Sequence, residues 1–113
     1  MTAIVFRINR NYKKLPLSSV YYIETHPTKP HNLRMMTDVG TFDFFDNLNN
    51  LEKCYPNYLV RCHRSCLVNV SKIKEIQFSN KTVLLKSSDD MRVSFSRRRY
   101  KYLLQSWLTD KEK

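Results

Sequence analysis

Glycine is nearly missing from this sequence: Gly40 is the only one in 113 residues. A chain with a single glycine cannot build a glycine-rich phosphate loop or a dinucleotide-binding fingerprint, which need several glycines where backbone approaches phosphate. Its turns must be made by Asn, Asp, Ser and Pro, which tolerate left-handed backbone or bond to their own main chain. Acidic residues are scarce as well, 10 against 20 Lys and Arg. They are not grouped as a metal-binding or glycosidase pair would require, and Asp89-Asp90 reads as a turn. The three cysteines, Cys54, Cys62 and Cys66, are an odd number, which argues against a disulfide framework and for a reducing compartment. No charged-then-apolar leader opens the chain, and no apolar run of about 18 residues occurs. These absences lead to the expectation of a soluble cytoplasmic protein that is no enzyme, carries no cofactor or metal, and does not enter a membrane.

What is present suits one globular domain. The length allows a single modest core, the hydrophobic fraction is 42% and the aromatic fraction 12%, and Tyr, Phe, Val and Ile favour strands. The formal net charge of +10 attracts polyanions. Nucleic acid, an anionic membrane surface and an acidic protein all fit that charge.

Turn clusters punctuate the chain at Asn9 to Asn11, Pro27 to Asn32, Asp38-Val39-Gly40, Ser79-Asn80-Lys81 and Ser87 to Asp90. Between them, apolar residues alternate with period two: Ile4, Phe6 and Ile8, then Phe42 and Phe44, Ile76 and Phe78, and Met91, Val93 and Phe95. Half-buried strands have that period. Connections this short join antiparallel neighbours. Two segments read as helices. Asp46 can cap one in which Leu48, Leu51 and Tyr55 share a face before Pro56 stops it. The other runs from Arg97 to about Leu108, with Tyr100, Leu103, Leu104, Trp107 and Leu108 on a core-facing stripe and Ser96 as N-cap.

Three basic segments stand out. In Ser96-Arg97-Arg98-Arg99, cations occupy a helix start, where the backbone already carries partial positive charge. Cations and free N–H groups together make a phosphate site; Arg92 and Lys101 lengthen the patch. The loop Thr28-Lys29-Pro30-His31-Asn32 is stiffened by Pro27 and Pro30, and His31 and Asn32 can give and accept hydrogen bonds at base edges. An ordinary polar turn fits the same residues. In Val60 to Asn69, the apolar period breaks across His63 to Ser65, so a strand, a tight turn projecting Arg64 and Ser65, and a second strand are expected, with Asn69 capping a helical turn over Val70 to Ile73. Cys62, His63 and Cys66 could supply three metal ligands, but the spacing is not a zinc knuckle and no second pair completes a tetrahedron. A small-hydrophobe role for the cysteines is the simpler reading, with packing also assigned to Cys54.

The order of these segments resembles the LytTR DNA-binding family. The resemblance runs over about residues 4 to 108 and is carried by Val20-Tyr21-Tyr22-Ile23-Glu24, the loop with His31, Arg61-Cys62-His63-Arg64-Ser65 with Val68-Asn69, and Val93-Ser94-Phe95-Ser96-Arg97-Arg98-Arg99-Tyr100. It implies a mainly β fold, an elongated stack of small antiparallel sheets with one or two short helices and a C-terminal amphipathic helix. Residues 1–3 would be a cloning remnant and 109–113 a frayed charged tail. It also implies the output domain of a two-component response regulator, which reads double-stranded promoter DNA with loops, on direct repeats occupied by a second copy, with RNA polymerase as a further partner. Family members often answer peptide signals of the quorum-sensing kind. Base contacts fall to His31, Arg64 and Arg98. Backbone contacts fall to Lys29, Asn32, Ser65, Arg92, Arg97, Arg99 and Lys101. The competing reading is a single-strand, RNA or protein interaction module using Tyr12, Tyr21, Tyr22 and Tyr58 as platforms.

Overall fold

A computed structural model describes residues 2–110 of the chain. The first two strands, β1 (Ala3–Ile8) and β2 (Asn11–Pro16), form a hairpin. Asn9 makes its turn at φ 59, a conformation that Asn tolerates better than most side chains. Ile4 and Phe6 point inward, as the alternation predicts. The return strand has no such signal, since Asn11 to Lys14 are all exposed and Asn11–Pro16 has no apolar rhythm. Its register comes from β1.

Five strands make the central sheet: β3 (Val20–Thr25), β4 (Asn32–Thr37), β5 (Gly40–Phe45), β6 (Leu59–His63) and β7 (Cys66–Asn69), in the order β5-β4-β3-β7-β6. All neighbours are antiparallel. Gly40 occupies the one turn position at φ 134, which side chains rarely adopt. A helix, α1 (Leu48–Cys54), links β5 to β6. Its cap is Asn47, whose side chain accepts from the Asn50 amide at 2.8 Å, and not Asp46 as expected. The Asp46 carboxylate instead accepts from the Asn47 amide at 2.8 Å and the Asn50 side chain at 3.1 Å, one residue outside the helix.

A three-stranded sheet follows, β10-β9-β8, built from β8 (Ile73–Gln77), β9 (Thr82–Leu85) and β10 (Arg92–Ser94). The chain ends in α2 (Tyr100–Leu108). This helix starts later than its apolar stripe suggests, because Arg97–Arg99 form a 3-10 turn and Ser96 makes no side-chain cap bond. Leu103 is fully buried in it, whereas Leu108 is exposed, so the stripe is narrower than the sequence pattern.

Alternation then produces two cores. Leu59 of β6 and Leu67 of β7 face the first hairpin and α1, while Val60, Cys62, Cys66 and Val68 face the second sheet and α2. The central sheet is thus a middle layer, buried on both faces along β6 and β7. Asn69 joins the layers: its amide donates to the carbonyls of Leu17 and Val20, both at 2.8 Å, and its oxygen caps Val70–Lys72 through the Ser71 amide at 3.2 Å. The whole is a stack of small antiparallel sheets measuring 42 × 31 × 28 Å.

At the N-terminal edge the folded unit reaches past the expected boundary at Ile4. Ala3 belongs to β1, and Thr2 donates to the Tyr58 hydroxyl at 2.9 Å. At the other end the Thr109 hydroxyl donates to the Gln105 carbonyl at 2.8 Å; residues 111–113 of the expected frayed tail lie outside the described residues. Cys54 is exposed, so packing does not account for it.

Candidate nucleic-acid interface

The loop between β3 and β4 is folded on itself. The His26 amide donates to the Asn32 carbonyl at 2.9 Å, the Asn32 amide to the Lys29 carbonyl at 3.3 Å, and the Asn32 side chain to the Pro30 carbonyl at 3.0 Å. His31 sits at φ 62, in the left-handed region. Its carbonyl accepts from the Asp46 amide at 3.2 Å, and its ring packs 6.1 Å from that of Phe45. Lys29 and His31 are exposed and Asn32 is half-buried.

Arg64 and Ser65 form the two-residue turn between β6 and β7. The turn is held from beneath by Arg61, which is 8% exposed. Its guanidinium donates to the Arg64 carbonyl at 2.9 Å and to the Asn49 side chain at 2.7 Å, and pairs with Glu52 at 3.2 Å. These bonds satisfy most of a charge that burial would otherwise penalise. The Ser65 hydroxyl lies 3.0 Å from His63 Nδ1, which also accepts from the Ser65 amide at 3.3 Å. Arg64 itself projects into solvent.

The third basic segment lies after β10. Arg97 and Arg98 are exposed and Arg99 half-buried. In a 3-10 turn successive side chains diverge by about 120°, so the three arginines leave the turn in different directions. Arg92 on β10 and Lys101 on α2 are exposed beside them.

Main-chain bonds draw the segments together. The Thr25 amide, at the base of the first loop, donates to the Ser65 carbonyl at 3.0 Å, and the Ser96 amide donates to the Cys62 carbonyl at 3.0 Å. Arg64 shares a groove of about 320 Å³ with Lys29, His31 and Asn32. Ser65 shares a second, of about 340 Å³, with Arg92, His63 and Glu24. Residues far apart in sequence therefore flank one end of β6 and β7. Sequence reasoning passes over Arg61 and His26, whose roles depend on partners from other elements. For Arg61 the signal is a charged residue on a strand that alternation buries; His26 lies past the end of β3 and carries no such signal.

Cys62 and Cys66 are buried in the second core. The neighbouring Cys62 thiol, then burial, push the Cys66 thiol well above its ordinary value. Of the proposed platform tyrosines, only Tyr12 is exposed, with the Arg7 guanidinium 5.8 Å above its ring. Tyr21 and Tyr22 pack on the second core and Tyr58 on the first, so the four make no common stacking surface. No helix among the described residues is long and apolar enough to cross a membrane.

Comparison with known proteins finds a family and several relatives that the chain resembles. The family model described as LytTr DNA-binding domain matches residues 6–108. The transcriptional regulatory protein YpdB of Escherichia coli K12 is 35% identical over 97 aligned positions, covering 80% of this chain and 37% of that protein. Its counterpart in Escherichia coli O6:H1 is 32% identical over 98 positions, with the same coverage. The chain thus spans little more than a third of these curated relatives. Among solved structures, the LytTr DNA-binding domain of a response regulator from Bacillus cereus superposes with a TM-score of 0.72 at 26% identity, covering 94% of this chain and 96% of that one.

Proposed function

The chain belongs to the LytTR family of DNA-binding domains, and from that premise we propose that it reads duplex promoter DNA with three loops to control transcription. The observation that carries this reading is the convergence of the β3–β4 loop, the Arg64-Ser65 turn and the Arg97–Arg99 turn at one end of the central sheet. His31, Arg64 and Arg98 are assigned to base edges. Lys29, Asn32, Ser65, Arg92, Arg97, Arg99 and Lys101 are assigned to phosphates. Such a division fits the general pattern in which phosphate contacts fix register and base contacts carry sequence. The Ser65 hydroxyl lies 3.0 Å from His63 Nδ1 and would turn from the imidazole to meet a phosphate.

Within a full regulator this domain would be the output half of a response regulator, non-catalytic and cytoplasmic. It would bind direct repeats as two copies and meet RNA polymerase from there.

Arg64→Ala tests the reading. If Arg64 makes a bidentate base contact, the variant loses about 1–3 kcal/mol of discrimination between a cognate and a mismatched duplex. A uniform loss of affinity for both duplexes would reassign Arg64 to a phosphate.

A further inference from the structure

We propose that His26 is a positioning residue, which fixes the backbone of the first loop in its DNA-reading conformation through the neutral imidazole protonated on Nε2. The proposal rests on the reading of that loop as a DNA contact. The His26 side chain is 5% exposed, beneath the loop it precedes. Its Nδ1 accepts from two consecutive main-chain amides, Thr28 at 3.1 Å and Lys29 at 3.0 Å. A protonated nitrogen has no lone pair to accept them, so the proton belongs on the other side of the ring. There Nε2 lies 3.3 Å from Asp43 Oδ2 and 3.1 Å from Arg34 Nη2. Two donors cannot bond each other, so Nε2–H donates to Asp43, while Arg34 reaches the same carboxylate through Nε at 3.2 Å. Three elements thus clamp one ring: Arg34 from β4, Asp43 from β5, and the loop amides above.

The consequence falls on Lys29, His31 and Asn32. Turning two successive amides inward directs the chain into Pro30 and the left-handed His31, a backbone state that persists only where its surroundings enforce it. Without the imidazole acceptor, both amides turn to solvent and the loop loses the conformation that aims the His31 ring. Asp43 orients the ring in turn, as carboxylates orient imidazoles in other sites.

The two nitrogens can be tested separately. An Asn side chain at position 26 places its amide oxygen where Nδ1 accepts, whereas a Gln places its amide where Nε2 donates. The probe is a duplex that the wild-type domain enriches from a randomised library, compared with a scrambled duplex. His26→Ala and His26→Gln are expected to lower the preference for the enriched duplex about tenfold or more, and His26→Asn to recover most of that loss. Equal retention by all three, or a better result for Gln than for Asn, would overturn the proposal, since simple filling of space favours the larger Gln. His31→Ala is measured alongside. Should it leave the preference intact, the reading of the loop itself fails; should it abolish the preference while His26→Gln does not, only the positioning role fails. Imidazole ¹⁵N shifts of the wild-type domain give an answer that does not depend on any variant folding. A pyridine-type Nδ1 and a pyrrole-type Nε2 are expected, and a protonated Nδ1 contradicts the assignment.

Discussion

Asn69 is 1% exposed and its amide supplies both hydrogens to carbonyls of the segment before β3 and its first residue. Asn69→Ala removes both bonds: the Leu17 carbonyl keeps the Val20 amide as a partner, while the buried Val20 carbonyl loses its side-chain donor, at about 1–3 kcal/mol per lost partner before relaxation. We expect a loss of roughly 2–4 kcal/mol in urea denaturation, read as a lower midpoint at unchanged slope. A loss below about 1 kcal/mol would mean that water replaces the amide. Asp43 has a different signature. Burial alone would raise its carboxyl, but the Arg34 hydrogen bond and charge, with Lys29, outweigh it and hold it below the ordinary aspartate range. In the interval between the folded and unfolded values the unfolded state binds more protons, so stability rises with pH there. The contribution is complete above the ordinary value and vanishes as pH falls through the depressed one. The stability gap between wild type and Asp43→Asn should accordingly narrow on acidification; a gap constant with pH would show that the carboxylate charge is idle. At this scale, legibility follows locality. Arg64 is readable because its period break falls within three residues of sequence, and Asn69 because its cap lies two residues ahead. His26 is not, because its meaning lies in Asp43, seventeen positions away and on another strand.

The elements with apolar rhythm are legible, and those without it are not. Ile4, Phe6 and Ile8 announce β1, yet β2 is set by pairing alone and carries four exposed residues in succession. Only Leu15 of β2 packs on the first core, too little to set up an alternation in the sequence. The last helix announces itself through Tyr100, Leu103 and Trp107. Its first turn does not, since a 3-10 turn and an α-turn share a start signal and differ only in hydrogen bonding. That difference bears on Arg97, Arg98 and Arg99. Fanned about the turn, they cannot act as three equivalent anchors. Replacing all three with Ala should reduce the log–log salt dependence of DNA binding by about one unit for every phosphate deprived of its arginine. A drop of about two units is expected, from Arg97 and Arg99, the two assigned to phosphates. An unchanged slope would remove the turn from the interface.

On the scale of the molecule, the basic segments lie in three separate parts of the sequence, and folding gathers them. The central sheet does this by placing β7 between β3 and β6, so that the turn carrying Arg64 meets the end of the loop carrying His31. Nothing in local periodicity specifies that strand order. What can be read is the kind of fold, the antiparallel pairing and the positive charge. The convergence requires long-range pairing, and in the sequence only the family resemblance implies it. On the proposed reading, this convergence would let a domain with short helices recognise DNA without a helix in the groove: the turns sit on strand ends fixed by two cores, which limits the entropy that binding would otherwise cost.

The most direct test of sequence reading by these loops is a fluorescence-anisotropy titration of the domain against a duplex carrying two direct repeats and a scrambled duplex of equal length, at several salt concentrations. The expected result is a preference for the repeats that survives at physiological salt, with a salt slope set by the phosphate contacts. Equal binding to both duplexes, weakening steeply and together as salt rises, would contradict it and leave only the attraction of a +10 chain for a polyanion.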